Sequence, residues 1–145
     1  MYLDSARYDK KNYTKYMSDF EKSYTVVASH IDELNHVNNV VYLEWIQDIA
    51  HLHWNVLKKG HETFTYVWVV IRHEIDYLRQ ALLDDVLEAK TWVGKTEGIK
   101  SIRHVEFYKN GKLVVKAATT YCLLDAKSFK PMRITDEVLV MLAPK

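Results

Sequence analysis

The chain has 145 residues, of which 48% are hydrophobic and 27% are charged, and this is the length and composition of one globular domain. Its 20 basic and 19 acidic side chains give a formal net charge of +1, which argues against nucleic acid or an anionic membrane as a partner. The single cysteine, Cys122, excludes an internal disulfide and a multi-thiolate zinc site, and it suits the reducing cytoplasm, where we expect the protein.

The N-terminal part combines an irregular arm with one strand. Residues 1–18 are polar and tyrosine-rich and lack the apolar core of a signal peptide, so we predict an extended arm on a single domain that spans residues 1–145. From Phe20 to Ser29 apolar and polar side chains alternate, which predicts a strand. No segment approaches the run of about 18 apolar residues that a membrane span requires.

A long helix is predicted over Val40–Lys58. Its polar residues step by three and four positions, so they form one narrow stripe on an otherwise apolar surface. The members of this stripe are Glu44, Asp48, His51, Asn55 and Lys58. A helix with so little polar surface has to be enclosed, most simply by a curved sheet. Gly60 ends it, because glycine readily adopts the left-handed conformation that follows many helices.

Four strand-like runs follow the helix. They are Thr63–Leu78, Val86–Glu97, Lys100–Lys109 and Lys112–Asp125. Asn110-Gly111 separates the last two, and Asn-Gly between strands is the strongest short signal for a hairpin. Consecutive hairpins predict an antiparallel sheet. The pattern of Pro131–Leu142 leaves a short helix and a strand equally open.

The segment between the first strand and the helix carries most of the candidate chemistry. Asp32 and His36 lie in it, and Asn38 and Asn39 occupy the position of a helix N-cap. A carboxylate therefore precedes a helix N-terminus, whose free N–H groups near Asn39 and Val40 can polarise a carbonyl. Asp32 suits a nucleophile or a general base, and the plain alternative is a turn aspartate that accepts from a backbone N–H.

These residues carry a resemblance to a known family. Asp32, His36-Val37-Asn38-Asn39 and Tyr42 resemble the active-site motif of hotdog-fold thioesterases of the 4-hydroxybenzoyl-CoA and acyl-ACP thioesterase group. The resemblance implies an α+β hotdog fold, in which a five-stranded antiparallel sheet is wrapped around one long central helix. It also implies hydrolysis of an acyl thioester to a carboxylic acid and a thiol, without a cofactor.

Three positions depart from the common motif. Asn35 replaces a glycine that many members have before the histidine, Leu34 lies where plant members have an asparagine, and His30 replaces a second acid. His30, Asp32 and His36 can also be read as metal ligands. Because no fourth ligand follows at a suitable spacing, we expect no metal.

We predict roles for nine residues, most of them in or beside this motif. The predicted catalytic residues are Asp32, His36, Asn35 and Asn39. The predicted substrate-binding residues are Asn38, Val40, Tyr42, Trp45 and Arg103. His36 orients Asp32, holds water or binds the carbonyl, and the alternative is that it only stabilises the loop. For Asn38 and Asn39 the plain role is that of caps.

Basic residues recur in the later strands and their turns. They are Lys90, Lys95, Lys100, Arg103, Lys109, Lys112 and Lys116. They either form a solvated outer face or surround a tunnel mouth, where they would bind CoA phosphates or the acidic surface of an acyl carrier protein. By resemblance we expect acyl-CoA rather than acyl-ACP as substrate, and a homodimer or a tetramer in which sheets join edge to edge.

Two other functions remain open. Hotdog enoyl-thioester hydratases use a nearby Asp and His in a motif similar to Asp-x-Asn-Pro-x-His, but no proline follows Asn35. A non-catalytic module that binds acyl thioesters is the second alternative. Within the helix, His53 lies opposite the polar stripe, so we predict a hydrogen-bonded core histidine or a residue that lines an acyl pocket.

Overall fold

The structure is a computed structural model that describes residues 19–61 and 65–143. The predicted arm over residues 1–18 lies outside the described residues. The elements, in chain order, are β1 (Phe20–Thr25), a 3-10 turn (Ala28–His30), α1 (Asn39–Leu57), β2 (Tyr66–Tyr77), β3 (Val86–Glu97), β4 (Lys100–Lys109), β5 (Lys112–Asp125) and α2 (Asp136–Leu142).

The strands form one five-stranded antiparallel sheet in the order β1-β3-β4-β5-β2. β3, β4 and β5 are successive hairpins, and β1 and β2 lie at the two edges. The β4–β5 turn contains Asn110 and Gly111, with φ angles of 50° and 78°, which are the positive values that an Asn-Gly hairpin requires. With α1, this sheet confirms the expected α+β class and strand count.

Helix α1 packs on the inner face of the sheet and forms the main core. Ile46 and Ile49 of the helix are fully buried in one cluster with Leu87 of β3 and with Val105 and Phe107 of β4. All five residues of the predicted polar stripe stay exposed or half-buried. The prediction of a largely enclosed helix is therefore confirmed.

The C-terminal segment resolves the question left open for Pro131–Leu142. Its last seven residues form α2, and the Thr135 hydroxyl caps this helix by accepting from the Val138 N–H at 3.3 Å. Val138 and Leu142 are buried in a second apolar cluster with Leu57 at the end of α1. The helix thus covers the end of the sheet that lies beyond the main core.

The limits of two strands, β1 and β2, differ from the prediction. β1 ends at Thr25 and not at Ser29, because Nδ1 of His30 accepts from the Val27 N–H at 3.0 Å as the chain turns into the 3-10 segment. β2 runs from Tyr66 to Tyr77 and not from Thr63 to Leu78, and residues 62–64 lie outside the described part. No helix within the described ranges is long and apolar enough to cross a membrane.

Candidate active site

A tight turn presents Asp32 just before α1. Ile31 and Val37 pair as an isolated antiparallel bridge, and the Asp32 N–H donates to the His36 carbonyl at 3.0 Å. The Asn35 N–H in turn donates to the Asp32 carbonyl at 3.0 Å. The backbone of this turn is therefore fixed on both sides of Asp32 before any side chain is considered.

The Asp32 carboxylate is half satisfied. Its Oδ1 accepts from the Leu34 N–H at 2.9 Å and, more weakly, from the His36 N–H at 3.4 Å. Within residues 19–61 and 65–143, Oδ2 has no hydrogen-bond partner. Asp32 therefore does accept from backbone N–H groups of its turn, as the alternative interpretation of the sequence predicted. This role uses Oδ1 alone and leaves Oδ2 available for a substrate or a water molecule.

The two histidines near Asp32 have different environments. His36 contacts the aspartate through its backbone, and its ring has no hydrogen bond to any described residue. His30 is bound to the Val27 N–H and meets the ring of Trp45 edge-on, with the ring centroids 5.1 Å apart. No group of three or more His, Cys, Asp or Glu side chains in the described part of the chain is arranged to hold a metal ion.

The N-terminus of α1 is capped as predicted. Oδ1 of Asn38 accepts from the Val40 N–H at 3.0 Å, and the Val41 N–H donates to the Asn38 carbonyl at 2.9 Å. Among the described residues nothing accepts from the Asn39 N–H. Two backbone N–H groups were predicted to polarise the carbonyl. The Val40 N–H is already bound to Asn38, whereas the Asn39 N–H still offers a donor at the positive end of the helix dipole.

Asn35 has a conformational explanation. Its φ of 64° lies in the left-handed region, and its side chain is exposed. Asparagine tolerates this region better than most residues, and glycine tolerates it best. The residue thus does what the glycine of related motifs would do, so its departure from the common pattern leaves the turn intact.

Tyr42 and Trp45 lie in the main core. They are 2% and 7% exposed, and their rings pack edge to face with centroids 5.5 Å apart. Burial, followed by the charges of Tyr77 and Asp85, raises the pKa of Tyr42 to about 12. The Tyr42 hydroxyl is buried and lacks a hydrogen-bond partner in the described structure. Both residues pack beneath the first turns of α1 against the sheet, and neither lines the cavity beside the second half of this helix.

A cavity of about 490 Å³ lies beside the second half of α1. Its lining residues are Gln47, Ala50, His51, Trp54, Lys58, Tyr66, Val67, Trp68, Val70, Val93, Ser101, Arg103, Tyr121 and Leu142. Gln47 follows Asn39 by eight positions, so the cavity begins about 12 Å along the helix axis at roughly 1.5 Å per residue. Within one chain, Asp32 and the cavity therefore occupy different parts of α1.

The structure separates Arg103 from the predicted group of seven cations. Arg103 is 7% exposed on the inner face of the sheet, where its Nη1 donates to Nδ1 of His53 at 2.8 Å and to the Thr91 hydroxyl at 3.0 Å. The lysines are exposed or half-buried, and some pair with acids, as Lys109 does with Asp85 at 2.7 Å. Arg103 therefore lies apart from the lysines with which the sequence grouped it.

Sequence reasoning found the Asp32 turn but missed most of the cavity. The lining side chains come from α1, from four strands and from α2, so no local motif joins them. The available signals were aromatic residues flanking the end of the helix, such as Trp54, Tyr66 and Trp68. Those residues fit a core equally well. For His53 the predicted hydrogen-bonded core position is confirmed.

A five-stranded antiparallel sheet around one long helix, with an aspartate turn before the helix, defines the hotdog-fold thioesterases. The model of the acyl-ACP thioesterase N-terminal domain family matches residues 17–142, and the chain belongs to this family. It is 26% identical over 117 residues to the long-chain acyl-CoA thioesterase FadM of Escherichia coli, with 75% of this chain and 86% of FadM covered.

Solved structures agree with this assignment. The crystal structure of YbaW, a probable thioesterase of Escherichia coli, matches with a TM-score of 0.76 and 25% identity, covering 86% of this chain and 98% of that one. SAV2348 of Staphylococcus aureus, solved in complex with CoA, shares the fold at 15% identity, with a TM-score of 0.76 and coverage of 87% and 82%. The chain is a thioester hydrolase.

Proposed function

We propose that the protein hydrolyses acyl-CoA to a free carboxylic acid and CoA, with Asp32 as the reacting side chain. The observation that carries this proposal is the half-satisfied carboxylate. Oδ1 is held by the Leu34 N–H at 2.9 Å, while Oδ2 has no partner among the described residues. The same turn leads directly into the N-terminus of α1, where the Asn39 N–H donates to no acceptor among the described residues.

This arrangement matches what thioester hydrolysis needs. A thiolate leaves easily, so the reaction requires chiefly a nucleophile and a group that polarises the carbonyl. The Asn39 N–H would bind the carbonyl oxygen as negative charge develops there. Its contribution would survive replacement of the Asn39 side chain, because the donor belongs to the backbone.

Asp32 has two chemical routes. In the first, Oδ2 attacks the carbonyl carbon, the C–S bond breaks, the thiolate leaves, and water then hydrolyses the mixed anhydride. In the second, Oδ2 removes a proton from a water molecule that attacks the same carbon, and the C–S bond then breaks to release the thiolate. Both routes start from an ionised carboxylate with one free oxygen. The His36 ring, which has no described partner, would hold the water or bind the substrate.

The comparisons support CoA as the carrier. FadM is named an acyl-CoA thioesterase, and SAV2348 was solved with CoA. A preference for acyl-ACP that collapses as salt is raised would contradict this choice.

We further propose that the active enzyme is a homodimer or a tetramer of such chains. Strand β2 lies at an edge of the sheet and exposes Val70 and Ile71, and such an edge is a liability unless it is paired or covered. Asp32 and the cavity lie at different positions along α1 in one chain. The family resemblance implies that one subunit's aspartate faces the partner's strands, which would bring the two together.

The deciding experiment measures thiol release from acyl-CoAs with a thiol-trapping dye, comparing the wild type with Asp32→Asn. The amide keeps the shape and can still accept from the Leu34 N–H, but it is neither a base nor a competent nucleophile. We expect a loss of about two decades or more in kcat. Near wild-type turnover by a folded Asp32→Asn variant would refute the role of Asp32. Binding or hydration without thiol release would refute hydrolysis itself.

A further inference from the structure

Arg103 is a buried cation with unused donors. It is 7% exposed, and its two hydrogen-bond acceptors, Nδ1 of His53 and the Thr91 hydroxyl, are both reached by Nη1. Within residues 19–61 and 65–143, Nη2 and Nε have no acceptor. A guanidinium offers five N–H donors in a planar fork that matches a carboxylate. Most of that capacity is therefore free.

No described carboxylate is hydrogen-bonded to this charge. Burial lowers the pKa of Arg103 to about 10, so it remains protonated at neutral pH. Tyr121 and Asp19 interact electrostatically with Arg103 and favour its charged form, but neither is hydrogen-bonded to it. Burial raises the pKa of the Asp19 carboxyl, and the Arg103 charge offsets part of that rise. Burial and the Arg103 charge lower the pKa of His53 to about 4, so His53 is neutral. A buried charge in such surroundings is costly unless a counter-ion reaches it.

The Arg103 side chain lines the cavity beside α1. The indole of Trp54 and the rings of Trp68 and Tyr121 supply apolar and aromatic surface, while Ser101 adds a hydroxyl. A volume of about 490 Å³ lies within the range of small-ligand sites, which combine an apolar lining with a few polar groups that fix orientation. A plain alkyl chain would fill this space without meeting the guanidinium's need for an acceptor.

We propose that this cavity binds a carboxylate on Arg103, carried at the far end of the acyl group of the thioester substrate. This inference rests on the proposed thioesterase function and specifies its substrate class, namely thioesters of dicarboxylic acids. Nη2 and Nε would donate to the carboxylate, while the Arg103–His53 bond keeps the guanidinium in place. The same chemistry would accept a free carboxylic acid, which is the other source of such a ligand.

The test compares matched acyl groups that end in a methyl or a carboxylate. Hexanoyl-CoA is paired with adipoyl-CoA, and octanoyl-CoA is paired with suberoyl-CoA. For each substrate kcat/KM is measured for the wild type, Arg103→Gln and Arg103→Lys. The control variant is Arg133→Gln, which changes an exposed arginine outside the cavity. We expect the wild type and Arg133→Gln to prefer the carboxylate-ended member of at least one pair. Arg103→Gln should reduce that preference by about ten-fold or more, with Arg103→Lys between them.

A second measurement separates this inference from the catalytic one. Calorimetric titration of the Asp32→Asn protein with suberate, and with 1,8-octanediol as a control that has the same chain length and no carboxylate, reports carboxylate binding without turnover. Suppose that no thioester releases thiol, but suberate still binds and Arg103→Gln abolishes this binding. That result would refute the proposed hydrolysis and still support a carboxylate site at Arg103. Turnover without a carboxylate preference and without Arg103-dependent suberate binding would overturn the inference alone.

Two remaining outcomes are also decisive. In the first, suberate binds through Arg103, but the enzyme shows no preference for carboxylate-ended over methyl-ended thioesters. The bound carboxylate would then belong to a free acid and not to the acyl group of the substrate. If Arg103→Gln does not fold, the wild-type ratio within each pair still tests the proposal, because equal kcat/KM values for methyl and carboxylate ends in both pairs contradict it.

Discussion

Nη1 of Arg103 lies 2.8 Å from Nδ1 of His53 in the buried space between the sheet and α1. A guanidinium can only donate, so Nδ1 of His53 must accept, and the proton of the neutral imidazole is on Nε2. The contact joins β4 to the second half of α1, and it holds both a histidine and an arginine in defined orientations. It also makes protonation of His53 unfavourable, because a charged imidazole would face a charged guanidinium.

The first prediction concerns pH and stability. Burial, followed by the Arg103 charge, lowers the pKa of His53 to about 4 in the folded state, whereas it is about 6.5 in an unfolded chain. Between these values the unfolded state binds more protons, so stability falls as pH falls from about 6.5 towards 4. Allowing for solvent screening, we expect a loss on the order of 1 kcal/mol at pH 5.

Thermal melts of the wild type and His53→Gln from pH 8 to pH 4.5 would check this. Glutamine keeps an acceptor for Arg103 but does not titrate, so the variant should lose less stability over the range. Some slope should remain, because burial and the charge of Lys116 lower the pKa of His104 to about 4 as well. Equal slopes in the two proteins would show that His53 is not responsible.

The second prediction concerns the turn that presents Asp32. Asn35 has a φ of 64°, so Asn35→Gly should be nearly neutral or slightly stabilising, while Asn35→Val should cost about 1–2 kcal/mol. Asn35→Val should also reduce kcat/KM, because the turn orients the carboxylate. Urea denaturation and thiol-release assays on both variants provide the comparison, and a well-folded, fully active Asn35→Val would be inconsistent with a strained turn.

The third prediction concerns His36. The backbone of His36 contacts Asp32, with its N–H donating to Oδ1 at 3.4 Å, and its ring has no described partner. His36→Ala keeps that backbone bond, so we expect a smaller loss of kcat than Asp32→Asn causes, within about one decade. Parallel assays under saturating substrate decide the order. A larger defect in His36→Ala would assign the main chemical role to the imidazole.

The fourth prediction concerns assembly. If β2 edges pair and complete the active site, dilution should lower thermal stability and specific activity together, since subunits that bind each other stabilise the folded state by mass action. Light scattering would give the mass, and assays over a concentration series would give the activity. A monomer that stays fully active at nanomolar concentration is the result that would count against the proposal.

The sequence determined the features that depend on neighbouring residues. Alternating side chains predicted the strands, and the limits of β3, β4 and β5 agree with the structure. Asn110-Gly111 predicted a hairpin because both residues accept positive φ, and Asn38 predicted the N-cap because its side chain reaches the Val40 N–H two residues on. Each of these outcomes is fixed by local backbone geometry.

Only the tertiary structure decided which side chains share a space. Arg103 belongs to the same run of basic residues as six lysines, yet it lies under α1, because strand pairing puts it on the inner face beside Thr91 and opposite His53. Trp45 and Trp54 lie on one helix, but the first packs into the core and the second lines the cavity. Such distinctions arise from contacts between residues distant in sequence, and no local pattern contains them.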